Sequence, residues 1–239
     1  MSHPPAVSPA LDQWEGLKDR LQERLTGEAQ GLLRIGAGEA GVLYLLPLKA
    51  FQKKTPKVRI VLHHQRADET LGMLKAGELD LGVWSRTIVP AWANYRPSRH
   101  YPRVAVCAKG HPFARGGTGK LSELARHLLL FPGSQSITRV LVEEALTKAG
   151  LPYQVGLEAG GWEAIKTYAA WFGVAVVPEL CLSKDDRRRL AVRSTGGLFG
   201  RDSYGVVTRR ETGLPLAARE LIRLVDPGYP ELSPRGGKA

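Results

Sequence analysis

The stretch GLLRIGAGEAGVLYLLP, residues 31–47, decides the fold. Leu32 to Ile35 is an apolar run short enough to be a buried strand. It breaks into the small-residue segment Gly36-Ala37-Gly38-Glu39-Ala40-Gly41, and from Val42 an apolar pattern resumes that predicts a helix over 42–55. Strand, small-residue loop and helix start together present backbone N–H groups that have no intrahelical acceptor, and a ligand can approach them closely.

Outward from this stretch the same alternation continues. A strand over 57–63, a helix over 68–76 closed by Gly77, and a strand over 79–84 complete a βαβαβ unit. Residues 87–99 show no clear period. A strand over 103–108 leads through a loop to a second set. Here strands over 127–131, 153–157 and 174–177 alternate with helices over 121–125, 137–149 and 162–172. The run Asp185–Arg189 reads as a solvated charged turn. Strands over 190–193 and 204–208 and a helix over 214–225 follow. Repeated βαβ order implies parallel sheets covered by helices. The expected architecture is α/β, with one lobe from 31–105 plus 206–226 and a second from 106–205. A cleft between such lobes is a common ligand site.

The flanks differ from the body. Residues 1–9 are a proline-rich, disordered lead, and 227–239 a flexible tail. Residues 10–27 predict an amphipathic helix. Its stripe of Leu11, Trp14, Leu21 and Leu25, with Leu17 beside it, must be buried on the body or on a partner helix.

Composition narrows the function classes. The formal net charge of +11 fits nucleic acid, anionic ligands or acidic partners, and also plain solubility charge. No apolar run approaches the roughly 20 residues of a membrane span, and the N-terminus has neither a basic start nor an apolar segment of a secretory signal. Cys107 and Cys181 read as buried thiols rather than a disulfide framework. His63 and His64 are adjacent on a strand, so they point to opposite faces and cannot easily share a metal. His111 precedes Pro112 in a loop. Cys107 with His100 or His111 could be drawn as a nucleophile pair, but it lies in an apolar strand. Gly36-x-Gly38-x-x-Gly41 is a dinucleotide fingerprint without the acidic residue at the next strand's end, where His63-His64 stand. No catalytic residue, cofactor or metal is expected.

Four segments then carry a resemblance: GLLRIGAGEA with LLP, KVRIVLHH, LKAGELDLGV and RVAVCAKGHPF. In this order they resemble the effector-binding domain of LysR-type transcriptional regulators. The segment Glu163–Tyr168, with Phe172–Val177, Leu198-Phe199 and Tyr204–Val207, is most similar to the CysB-like branch, which regulates sulfur assimilation. The resemblance covers about residues 31–226. It implies the type 2 periplasmic-binding-protein fold, with two α/β lobes and a hinged cleft. The family's winged helix-turn-helix is missing ahead of it, so no sequence-specific DNA binding is expected from this chain. Residues 10–27 stand where the end of the family's linker helix belongs, which gives Leu11, Trp14, Leu21 and Leu25 a dimer partner.

The resemblance also places a ligand. Family members that sense anions or small acids take donors from the loop after the first strand, here Gly38, Glu39, Ala40 and Gly41, and from the end of the third strand, here Ser85. Second-lobe helix starts supply the rest: Ser134, Gln135, Ser136 and Thr138, then Gly160 and Gly161, with Lys166 and Thr167 on the helix that follows. The chain departs from the CysB-like pattern where Gly38, Glu39 and Ala40 replace a Thr-rich stretch and Gly160 replaces a hydroxyl. Glu39 facing the cleft would favour a ligand with an ammonium group; solvated, it would simply complement the helix dipole.

The expected function is that of a cytoplasmic effector-sensing domain, not an enzyme, binding sulfate, thiosulfate, an O-acetylserine-like molecule or an amino acid between the lobes. It would form homo-oligomers, or mixed oligomers with a full-length regulator, and would not associate with a membrane. The alternatives are a solute-binding protein of a transport system and an enzyme on the same fold.

Overall fold

The computed structural model describes residues 25–45, 47–85, 89–210 and 213–229, with Trp14, Leu17, Lys18 and Leu21 ahead of them. The chain divides into two compact units. Unit 1 comprises the chain up to Ser98 and from Tyr204 onward, and unit 2 comprises Arg99–Ser203. The sequence reading placed the two crossings at 105/106 and 205/206.

Unit 1 opens with β1 (Gly31–Ala37), followed by α1 (Glu39–Tyr44) and α2 (Leu48–Lys54). The single helix expected over 42–55 is therefore two. Proline lacks an N–H and disfavours a helical residue before it, so the helix cannot run through Pro47. The Leu45 N–H instead turns back to the Val42 carbonyl at 3.0 Å, and the Phe51 N–H starts a new helix on the Pro47 carbonyl at 2.9 Å. Next come β2 (Val58–His64), α3 (Ala67–Ala76) and β3 (Leu81–Trp84). Gly77 closes α3 in the left-handed region with φ 84°, as its position after the helix predicts.

β1 lies between β2 and β3 and is parallel to both, with Ile35 opposite Leu62 and Leu81. Gly36 and Gly82 are neighbours across β1 and β3. A Cβ on either would meet the Thr70 methyl of α3, at 2.8 and 2.7 Å respectively. The first glycine of the GxGxxG pattern thus serves the close approach of α3 to the sheet.

β4 (Ala93–Ala108) begins in unit 1 and ends in unit 2. It starts ten residues earlier than the sequence predicts, inside the stretch without a period. Unit 2 continues with a 3₁₀ turn at Pro112–Ala114, α4 (Leu121–Leu124), β5 (Leu128–Pro132), α5 (Ile137–Lys148) and β6 (Gln154–Ala159). Then follow α6 (Trp162–Ala169), β7 (Val174–Pro178), α7 (Lys184–Arg189) and β8 (Leu190–Ser194). The strand order is β8-β4-β7-β5-β6, with β5 parallel to β6 and β7 and β4 antiparallel to β7 and β8. Alternation along β5 fills both faces of the sheet. Leu129 and Phe131 join Val142 and Leu146 of α5 on one side, and Leu130 joins Ile165 and Ala169 of α6 on the other.

β9 (Arg201–Arg209) carries the chain back to unit 1, where it pairs antiparallel with β3, and α8 (Leu216–Val225) follows. Gly205 has no room for a side chain, because a Cβ there would overlap the Arg96 carbonyl of β4.

Of the N-terminal stripe, Leu11 lies outside the described residues, as do the lead 1–9 and most of the tail. Trp14, Leu21 and Leu25 are helical and exposed, at 65%, 54% and 86%. Among the described residues no helix is long and apolar enough to cross a membrane.

Candidate functional site

In each unit the expected ligand residues gather at the carboxyl ends of parallel strands, where open α/β sheets bind ligands. In unit 1, β1 and β3 end side by side, so Gly38–Gly41 and Ser85 leave the sheet at one edge. The two segments touch: a Cβ on Gly41 would lie 3.2 Å from Val83. Gly38 is the extended N-cap of α1 and offers no side-chain cap. Its carbonyl accepts from the Val42 N–H at 2.9 Å. Ala40 and Gly41 are buried and Ser85 is half-buried. This edge therefore offers first-turn backbone N–H groups and one hydroxyl.

In unit 2, β5 and β6 run parallel up to Pro132 opposite Ala159. The loop 133–136 and the pair Gly160-Gly161 leave from these adjacent ends, each into a helix start. Ser134 and Gln135 are exposed. Ser136 is the half-buried N-cap of α5, and its hydroxyl makes no cap bond to the helix. Gly161 caps α6 at φ 85°, a conformation that favours glycine. Among the described residues nothing lies within 4 Å of the position a Cβ on Gly160 would take.

Thr138 and Lys166 have other partners. Thr138 is buried, and its hydroxyl accepts from Arg103 Nε at 3.2 Å. Lys166 is 1% exposed. Its ammonium donates to Asp186 Oδ2 at 2.6 Å, Glu163 Oε1 at 2.6 Å and the Cys181 carbonyl at 2.7 Å. An ammonium has three donors, and all are taken. The expectation that Lys166 meets a ligand is corrected: it fixes α6 to α7. Thr167, the next residue, is half-buried.

Residues 26–228 match the LysR substrate binding domain. The chain belongs to that family. The chain is 25% identical over 230 residues to the HTH-type transcriptional regulator CysB of Burkholderia cenocepacia, covering 93% of this chain and 72% of that protein. Two solved structures share the fold. The cofactor-binding domain of the Cbl transcriptional regulator superposes with a TM-score of 0.72 at 23% identity, over 83% of this chain and 89% of that one. The regulatory domain of CcmR from Synechocystis PCC6803, in complex with 2-PG, gives 0.72 at 21% identity, over 85% and 99%. The architecture is the type 2 periplasmic-binding-protein fold, and the chain is the effector-binding domain of a LysR-type regulator.

The remaining chemistry of this LysR domain is structural. Cys107 is fully buried, and burial pushes its thiol up to about 11, far from a thiolate nucleophile. His111 Nδ1 accepts from the Phe113 N–H at 3.1 Å and caps the 3₁₀ turn. Burial, and then the neighbouring His127, hold its pKa below the usual histidine value. Among the described residues no group of three His, Cys, Asp or Glu side chains could hold a metal. A concavity of about 580 Å³ in unit 1, lined by Glu28, Lys54, Thr55, Lys57, Leu216 and Glu220, opens at the amino end of β2, away from the carboxyl edge.

The sequence reading missed Asp186. The run Asp185–Arg189 is a helix, and Asp186 within it is 3% exposed. Its carboxylate accepts from Lys166, from the N–H and hydroxyl of Ser183, and from Arg189. These partners outweigh burial and hold it well below the usual carboxylate range. The signal was present: Ser183-x-x-Asp186 has the spacing of a reciprocal capping box, which the structure forms.

Proposed function

We propose that this domain binds a small anionic or zwitterionic metabolite through hydroxyls and backbone N–H groups at the carboxyl edges of its two units. The observation that carries the reading is the pairing of Ser134–Ser136 with Gly160-Gly161 at adjacent strand ends, each leading into a helix. Helix starts favour negative charge without a formal counter-ion. The 2-PG complex of the CcmR domain supports an anion, and the likeness to CysB supports a sulfur-linked one: sulfate, thiosulfate or an O-acetylserine-like molecule. Gly38 and Ala40 supply no side-chain donors in unit 1. A zwitterion such as an amino acid therefore fits that edge as well.

The domain acts in the cytoplasm and turns nothing over. It assembles as a homo-oligomer, or with a full-length regulator, through the exposed stripe of Trp14, Leu21 and Leu25, with Leu11 as the sequence places it. The match to transcriptional regulators favours this over a transport protein or an enzyme.

Thermal-shift titration with sulfate, thiosulfate, O-acetylserine, 2-PG and amino acids tests the reading, because a ligand of the native state raises the melting point. Ser85→Ala and Ser136→Ala should each weaken binding of the active compound by about 1 kcal/mol in calorimetry. No shift with any of them, or full affinity in both variants, overturns the assignment.

A further inference from the structure

In each unit a helix that starts at the carboxyl edge is linked, directly or through one further side chain, to both strands that pass from one unit to the other. Tyr44 closes α1 and is 1% exposed. Its hydroxyl shares a hydrogen bond with Ser98 Oγ, and its ring stacks on Tyr204, with centroids 6.3 Å apart and planes at 27°. Ser98 is the last residue of β4 within unit 1, and Tyr204 is the first residue of β9 on the return. One buried side chain at the end of a six-residue helix thus holds both strands at the point where they cross.

Unit 2 reaches the same arrangement with different chemistry. Arg103, on β4, is 4% exposed. Its Nε donates to Thr138 in the first turn of α5, its Nη2 pairs with Asp202 of β9, and its Nη1 donates to the Phe199 carbonyl. The second oxygen of Asp202 is buried and has no hydrogen-bond partner among the described residues. A half-satisfied buried network is costly, and a rearrangement that supplies the missing bond is favoured. Packed elements of this kind switch between discrete arrangements instead of deforming smoothly.

We propose that Tyr44 in unit 1 and the Thr138–Arg103–Asp202 cluster in unit 2 are the coupling residues that pass a change at the carboxyl edges to β4 and β9. The inference rests on the effector-binding reading above. It assigns that site its regulatory output: α1 and α5 act on the two crossing strands through these side chains.

A pair of double-mutant cycles, read by hydrogen exchange on the full chain, tests this without a ligand. Gly41→Ala presses α1 against Val83, and Ser136→Asp places an anionic cap on α5. Each is made alone and combined with the substitution that cuts its tie: Tyr44→Leu, which removes both the hydroxyl and the stacked ring, or Thr138→Val. With the tie intact, each perturbation should change exchange in peptides covering 94–104 and 201–208 by about fivefold or more, the lower range of an allosteric coupling. With the tie cut, that change should vanish. If Gly41→Ala fails to fold, Gly38→Ser, whose backbone accepts a side chain, perturbs α1 more gently. An equal change with and without the tie, or no change in either background, overturns the proposal for that unit. A tie variant that merely loosens the fold shifts both arms alike and counts against it. Parallel thermal-shift titration with sulfate and O-acetylserine reports on effector binding alone. Coupling in a chain that binds neither refutes the effector, and binding with additive cycles refutes the coupling.

Discussion

The two units present similar edges, but each is stabilised internally by different forces. In unit 1, α3 packs on bare backbone at Gly36 and Gly82, and α1 is tied down by a neutral hydroxyl bond and a stacked ring. In unit 2, three cations are buried to within a few per cent: Arg103 with Asp202, Lys166 with Asp186, and Arg193 with Glu123. Arg193 also lies over the Phe113 ring, 4.3 Å from its centroid. Apolar and neutral contacts change little with pH, whereas a buried ion pair is a large desolvation cost offset by a partner. Unit 2 should therefore be brittle to single charge deletions and sensitive to acid, and unit 1 brittle to added volume.

The largest expected effect is in unit 2. Lys166→Met leaves Asp186 buried with its main counter-charge removed and should destabilise the chain by about 3–5 kcal/mol in urea unfolding. Combining it with Asp186→Leu should restore much of the loss. If the single variant costs under about 1 kcal/mol, as exposed pairs do, the contrast between the units collapses. The matching change in unit 1 is smaller. Gly82→Ala forces a methyl against Thr70 at 2.7 Å and Val207 at 3.0 Å, and overpacking of this kind costs about 1–3 kcal/mol. Thr70→Ser in the same chain removes the methyl of the clash and should recover part of it.

These sites also mark what the sequence could and could not convey. Period and turn residues made most elements legible, including Gly77 as a helix stop and the parallel strands β1–β3 and β5–β7, but not the antiparallel pairing of β4, β8 and β9. Pro47 was legible as a break and was passed over because the apolar pattern runs through it. Asp186 was legible as a cap but not as a buried charge, because its partner Lys166 lies twenty residues away in sequence. Nothing in an IKTY segment says that its lysine turns inward. The role of Gly36 depends likewise on Thr70, which only the folded sheet brings over it. Sequence pattern reports the period of an element; the partner of a side chain is a tertiary fact.

The pH response of unit 2 is the next distinction, and its sign is fixed by that unit's two buried aspartates. The Asp186 pKa is lowered in the fold, so its contribution is complete above the unfolded carboxylate value, near 4, and is lost as pH falls toward its folded value. Asp202 runs the other way. Burial outweighs Arg103 and raises its pKa, so its contribution is present at low pH and is lost as pH rises through the folded value. Asp186→Asn should therefore flatten the acid limb of a urea-midpoint profile, and Asp202→Asn should flatten the opposite slope above pH 4. Profiles that keep the wild-type shape in both variants would place the acid sensitivity outside unit 2.

The smallest effect concerns the proposed ligand edge, where the units differ in what can be added. A side chain at Gly41 meets Val83, whereas one at Gly160 meets open space. Gly160 is also where the CysB-like pattern expects a hydroxyl, beside the loop 133–136 and ahead of α6. Gly160→Ser should therefore fold as the natural chain does and tighten sulfate binding by about 1 kcal/mol, the value of one added hydrogen bond. Calorimetric titration of both chains measures it. A gain for sulfate with none for amino acids would show that the natural glycine turns this edge away from a bare oxyanion. Equal affinities would mean that unit 2 holds its ligand at the Ser134–Ser136 turn and that Gly160 only shapes the entry to α6.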